Sequence, residues 1–251
     1  MKNHRIIGKP WFRVGGIALV LGAVLLATLL FNLPASAYPP EATPQADAWG
    51  DEPELMATPT VEGAHVRLDT SGIVWGSPIK PASSAQGWTD IMTEDFEGTF
   101  PRSGWTVGEQ GAGDYKWAKR TCRPHGGYYS AWAVGGGANG SSLQCGSYYP
   151  NDAYSYMIYG PFDLSSATDA ELLFYRWNLS ELDYDDLAWG ASTNGTNFYA
   201  YFTSGDSGGW QYVDFDLTSV PVLGDVTGQP EVWIGFWFSS DSSYNYAEGA
   251  T

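Results

Sequence analysis

The 251-residue sequence has two cysteines, three histidines and 12 Lys+Arg against 28 Asp+Glu. It contains no HExxH, so the usual zinc-peptidase helix is excluded, and no GxSxG nucleophile turn. A Ser/His/Asp triad lacks a suitable histidine, because His4 and His65 lie outside the aromatic-rich part that begins near Trp88. The shortage of cations, at a formal charge of −16, rules out a phosphate-backbone partner. From about Trp88 to the end no stretch carries a convincing helical period.

Residues 1–13 hold Lys2, Arg5, Lys9 and Arg13 and no acid; residues 14–31 are apolar and uncharged; Ala35-Ser36-Ala37 follows Pro34. This is the layout of a secretory signal, residues 1–37, with an uncleaved membrane anchor as the alternative. In either case the remainder is exported, and the protein is expected to be secreted or at the cell surface, touching the membrane only through this segment. Without the four signal cations the net charge falls to −20.

Export bears on Cys122 and Cys145, which bracket a glycine-rich stretch containing His125. A lone pair outside the cytosol points to a disulfide. Free thiols or a metal site are the alternative, but Cys, Cys and His make a closed zinc site only with a carboxylate added.

Residues 38–60 are rich in Pro, Ala, Thr and acids, and 38–88 reads as a linker with one hairpin in "HVRLDTSGIVW". From 89 to 251, short aromatic runs alternate with turn residues. Strands are expected at 91–96, 115–120, 129–134, 154–159, 171–178, 186–192, 198–203, 210–217 and 232–239, with a hairpin turn at Asn194-Gly195. This is an all-β pattern, a two-sheet antiparallel sandwich or jelly roll. Period-two alternation places Val232, Ile234, Phe236 and Phe238 on one face of the last run, and Trp233 and Trp237 on the other. In 210–217, Val213, Phe215 and Leu217 oppose Trp210, Tyr212, Asp214 and Asp216. Trp189, Trp210, Tyr212, Trp233 and Trp237 are therefore the candidate ligand-binding platform for sugar rings, with core packing as the competing role. The acidic run Glu181, Asp183, Asp185 and Asp186 sits at a strand entry, where solvated acids are common, and supports a glycosidase only weakly.

The blocks "EDFEGTFPRSGW" (94–105), "CRPHGGYYSAWAVGGG" (122–137), "YMIYGPFDLSSATDAELLFYRW" (156–177), "DDLAWGASTNGTNF" (185–198) and "WIGFWFSSD" (233–241) resemble, in this order, MAM-like jelly-roll domains of the choice-of-anchor J and immune inhibitor A-associated type. The resemblance covers roughly 90–251. It implies a non-enzymatic extracellular role in adhesion or in binding carbohydrate or a surface protein; the alternative is an accessory domain of a larger secreted hydrolase. Some members carry structural calcium, for which the resemblance nominates Glu97 and Asp241 as metal ligands. It also implies that the closing strand is missing after "AEGAT", leaving the strand at 91–96, with Phe96, uncovered.

Overall fold

In the computed structural model, residues 4–7, 64–81 and 87–251 are described, the first of these as backbone only. Thirteen strands and one four-residue helix lie in the described chain. They are β1 (His4–Ile7), β2 (Ala64–Arg67), β3 (Trp105–Glu109), β4 (Lys116–Arg120), β5 (Ser130–Gly136), α1 (Gly137–Gly140), β6 (Tyr154–Phe162), β7 (Ala170–Arg176), β8 (Asn178–Leu179), β9 (Asp186–Ser192), β10 (Asn197–Thr203), β11 (Gln211–Asp216), β12 (Val232–Ser239) and β13 (Gly249–Ala250). One layer is a six-stranded antiparallel sheet in the order β2-β10-β9-β12-β6-β3. Facing it are the shorter ladders β1-β7-β11, β4-β5 and β13-β8. The fold is an all-β sandwich, as the spacing of aromatic runs and turns predicts.

Alternation along β12 sets the layers. Val232, Ile234, Phe236 and Phe238 enter the core between the sheets, where they meet Leu172 of β7, Trp132 of β5 and Phe215 of β11. Trp233 and Trp237 lie on the opposite face, as read from the sequence, but that face is closed. Val66, Leu68, Ile73 and Trp75 pack on it and, with Phe198, form a second core; Trp75 lies 5.7 Å from Trp233 and Phe198 5.0 Å from Trp237 between ring centroids. The expected linker therefore ends earlier than residue 88. Residues 64–81 are part of the domain: β2 pairs with β10, and Ile79 bridges Phe162. The reason is the apolar pair Val66 and Leu68, spaced for one strand face, which gains more by burial on two tryptophans than it loses in chain entropy.

One further expectation is corrected. No strand forms at 91–96, because Glu94 Oε1 accepts from the Phe96 N–H (2.9 Å) and Asp95 Oδ1 from the Glu97 N–H (3.1 Å). These local bonds compete with a ladder. Phe96 takes a positive φ of 59° and packs edge-on against Phe100. Gly249 and Ala250 pair with Leu179 and Asn178, and Thr251 and Trp177 exchange both backbone bonds at 2.9 Å. Strand β3, at "WTVGE", is absent from the sequence reading, since its half-buried pattern shows no clean alternation. The Asn194-Gly195 turn does join β9 to β10; Gly195 has φ 69°, and Asn194 Oδ1 accepts from the N–H groups of Thr196 and Asn197.

The Cys122–Cys145 disulfide is formed and closes a loop with a sequence separation of 23. In the chain-entropy account this stabilises the fold by about 3 kcal/mol. The expected signal at 1–37 lies outside the described residues apart from the backbone of His4–Ile7, which runs parallel to β7.

Leu68 is 1% exposed, within the stretch that composition assigns to a linker. Leu68→Ala is expected to cost about 2–4 kcal/mol in urea unfolding. A change under about 0.5 kcal/mol, the value for an exposed position, would contradict the packing of this segment.

Candidate functional site

Strand β7 faces two ways. Leu172 belongs to the core between the sheets, Phe174 packs edge-on to Trp189 and Phe236, and the Arg176 guanidinium lies over the Trp189 ring at 5.3 Å. Period two then turns Tyr175 and Trp177 away from the core. Strand β11 lies antiparallel beside it, with Tyr212 opposite Tyr175, Asp214 opposite Leu173 and Asp216 opposite Glu171. Val213, Phe215 and Leu217 go inward, so Tyr212, Asp214 and Asp216 share the outer face with Trp210 at its head.

The result is two ring pairs, which His125 joins into a strip. Centroids of Tyr175 and Tyr212 are 5.3 Å apart, and those of Trp177 and Trp210 are 6.1 Å apart. Tyr212 is 49% exposed, and the other three are half-buried. The disulfide loop completes the strip. His125 stacks on Tyr175 at 3.7 Å and meets Trp210 edge-on at 5.3 Å, while the Arg123 guanidinium sits over Trp177 at 4.4 Å. Burial against these rings pushes the His125 pKa down, so the imidazole is neutral near pH 7. His125 is thus a ring of the strip.

Of the five aromatics nominated by sequence, the structure brings Trp210 and Tyr212 together on this face. It places the others elsewhere. Trp189 is 2% exposed in the core between the sheets, and Trp233 and Trp237 are 3% and 2% exposed under residues 64–75. Those three do not form an open platform, because each face of the six-stranded sheet is covered. Tyr175, Trp177 and Arg123 were missed. In "ELLFYRWN" the inward residue is the cation Arg176, so the run reads as continuous rather than alternating.

The nominated acids also separate. Glu97 Oε1 accepts from the N–H groups of Tyr128 (2.7 Å) and Tyr129 (3.1 Å), which makes it a clamp on the disulfide loop. Asp241 lies with Glu181 and Asp185, one carboxylate oxygen of each within 4.8 Å of the others. Asp185 is fully buried; its Oδ1 accepts from the Asp241 N–H (2.7 Å) and its Oδ2 from the Tyr149 hydroxyl (2.5 Å). Glu181 Oε2 is buried with no hydrogen-bond partner among the described residues. Desolvation, then the neighbouring carboxylates Asp241 and Asp185, pushes the Glu181 pKa up; desolvation does most of the same for Asp185. Three crowded oxygen donors, one of them orphaned, suit a hard divalent cation. The second sulfur-bearing group, Cys122, Cys145 and Glu248, is spent on the disulfide and on the ion pair between Glu248 and Arg123.

Asp186, beside this cluster, is pushed up to about 6 by burial and by the charges of Asp185 and Asp183. Its folded form keeps a proton that the unfolded chain releases near pH 4. This contribution is therefore full below pH 4 and is lost as pH rises through 6. In chelator, stability should fall between pH 4 and pH 7, with Asp186 contributing about 3 kcal/mol of that fall. Urea titrations of Asp186→Asn should show a correspondingly shallower decline; an unchanged slope would contradict the assignment.

No family model matches the chain, and no curated protein matches it either. Among solved structures, a family 11 carbohydrate-binding module from Clostridium thermocellum, in complex with a β-1,3-1,4-mixed-linked tetrasaccharide, aligns with 62% of this chain and 91% of its own, at 12% identity and a TM-score of 0.37. A likeness of that size carries no argument about what this chain binds.

Proposed function

We propose that this chain is an exported, non-catalytic binding module whose ligand is carbohydrate, taken on the outer face of β7 and β11. The observation that carries the reading is the strip Tyr175, Trp177, Trp210 and Tyr212, two ring pairs left partly open on a sheet face, whereas Trp105, Trp117, Trp132, Trp189, Trp233 and Trp237 are buried. Sugar rings present apolar C–H faces to flat amphipathic side chains and hydroxyls to the polar groups at their edge. Asp214, Asp216, His125 and Arg123 supply that edge. Export is supported by the signal layout of residues 1–37 and by the disulfide. The order of the five sequence blocks supports kinship with MAM-like, choice-of-anchor domains, and the absence of HExxH and GxSxG supports a non-catalytic role.

The reading includes a structural calcium ion held by Glu181, Asp185 and Asp241, in place of the Glu97 and Asp241 pair that the family resemblance suggests. The ion would offset two of the three negative charges crowded there and tie the 181–185 loop to the loop after β12.

Binding to a panel of insoluble and soluble polysaccharides tests the face. Each stacked ring contributes about 1 kcal/mol, so Tyr175→Ala and Trp210→Ala should each weaken binding about fivefold. Tyr244→Ala, 75% exposed in the loop between β12 and β13, should change nothing. Full affinity in both strip variants sinks the reading.

Calcium at a hundredfold over its dissociation constant should add roughly 2.7 kcal/mol of stability. The rise in melting temperature should be larger at pH 7 than at pH 5, since the ligands must be deprotonated. A melting curve identical in calcium and chelator, or a full calcium response in Glu181→Gln with Asp241→Asn, contradicts this ion.

A further inference from the structure

The aromatic strip is electrically lopsided, and this bears on which sugars it takes. At the Trp177–Trp210 end stands Arg123. Its neighbour Cys122 is held by the disulfide, and its Nε donates to Glu248 Oε2. Glu248 is itself buried and fixed, since its Oε1 accepts from the Gly146 N–H (2.8 Å) and its carbonyl from the Trp132 indole N–H. Arg123 takes a φ of 47°, a left-handed conformation unusual for a side-chain-bearing residue, which persists only where surroundings impose it. The guanidinium is thus set in place over Trp177 with a third of the side chain open to solvent. Glu248 takes the Nε edge of the fork; among the described residues no other acceptor is bonded to its two terminal nitrogens.

The opposite end is acidic. Asp214 and Asp216 are exposed on the same face, beyond Tyr212 along β11. At a strand rise of about 3.4 Å per residue, Asp216 lies roughly 13 Å along the strip from Tyr212. His125, neutral near pH 7, adds a ring but no second cation.

Resting on the carbohydrate reading above, we propose that the ligand carries one carboxylate, on a terminal ring seated at the Trp177 end: a uronate-capped glycan, favoured over a neutral one and over a polyuronate. An arginine fork matches a carboxylate in geometry and charge. A chain with a carboxylate on every ring would set charges against Asp214 and Asp216.

The test uses the full chain and calorimetric titration at pH 7. Cellotetraose and galactotetraose are each compared with the counterpart whose non-reducing terminal ring is oxidised at C6 to the uronate, and polygalacturonate is a third arm. The uronate member of at least one pair should bind about tenfold tighter than its neutral partner. That advantage, read within each variant as the ratio of uronate to neutral affinity, should shrink with added salt, vanish in Arg123→Gln and survive in part in Arg123→Lys. Polygalacturonate should bind no tighter per ring than the neutral tetrasaccharide.

Equal or weaker binding of both uronates overturns the inference and leaves the carbohydrate reading standing, as does an undiminished advantage in a folded Arg123→Gln. If that variant does not fold, the wild-type uronate-to-neutral ratio and its salt dependence decide alone. Absence of binding in every arm sinks the carbohydrate reading together with the inference.

Discussion

A two-residue period on two hydrogen-bonded strands decides which aromatic rings of this protein meet solvent. On β7 the inward set is Leu172, Phe174 and Arg176, and on β11 it is Val213 and Phe215. The Tyr175–Tyr212 register then puts their outward neighbours side by side. A slip of one residue on either strand would bury the tyrosines and expose the phenylalanines. The core enforces this register, because Phe174 is wedged between Trp189 and Phe236. The binding face is thus the reverse side of well-packed strands.

The disulfide loop depends on the same arrangement. His125 and Arg123 have ring contacts only because Tyr175, Trp177 and Trp210 stand where they do. The loop is held there by the Cys122–Cys145 bond, by Glu97 on the N–H groups of Tyr128 and Tyr129, and by Glu248 on Arg123. Glu97 and Glu248, both acids in a strongly acidic chain, thus serve the positioning of a cation and an imidazole. The acids at Glu181, Asp185 and Asp241 act differently: they crowd one another, with like charges and burial raising two of their pKa values.

Much of the fold was legible in the sequence. Most strands after residue 115, the β9–β10 turn, the two faces of β12 and β11 and the cysteine pairing follow from local pattern. The departures share a physical cause. Whether Trp233 and Trp237 face water depends on Val66 and Leu68, about 170 residues earlier in the chain and read as linker. The loss of a strand at 91–96 depends on Glu94 and Asp95 bonding to their own backbone. Tyr175 and Trp177 escaped notice because Arg176 between them points inward, and a cation is rarely assigned to a core. Trp210 and Tyr212 were found because their neighbours Val213, Phe215 and Leu217 alternate cleanly. Asp241 was reached through family resemblance; its partners Glu181 and Asp185 come from another loop, which spacing alone does not connect to it.

The central claim is that one sheet face, of β7 and β11, carries the ligand site. Nitrogen-15 spectra of the tryptophan indole N–H groups read this directly, since the chain has 12 tryptophans in distinct settings. On titration with a polysaccharide that binds, the indole signals of Trp177 and Trp210 should move first and furthest. Those of Trp132, Trp189, Trp233 and Trp237 should stay in place. Shifts centred on Trp233 and Trp237, or spread evenly over the buried indoles, would contradict the account.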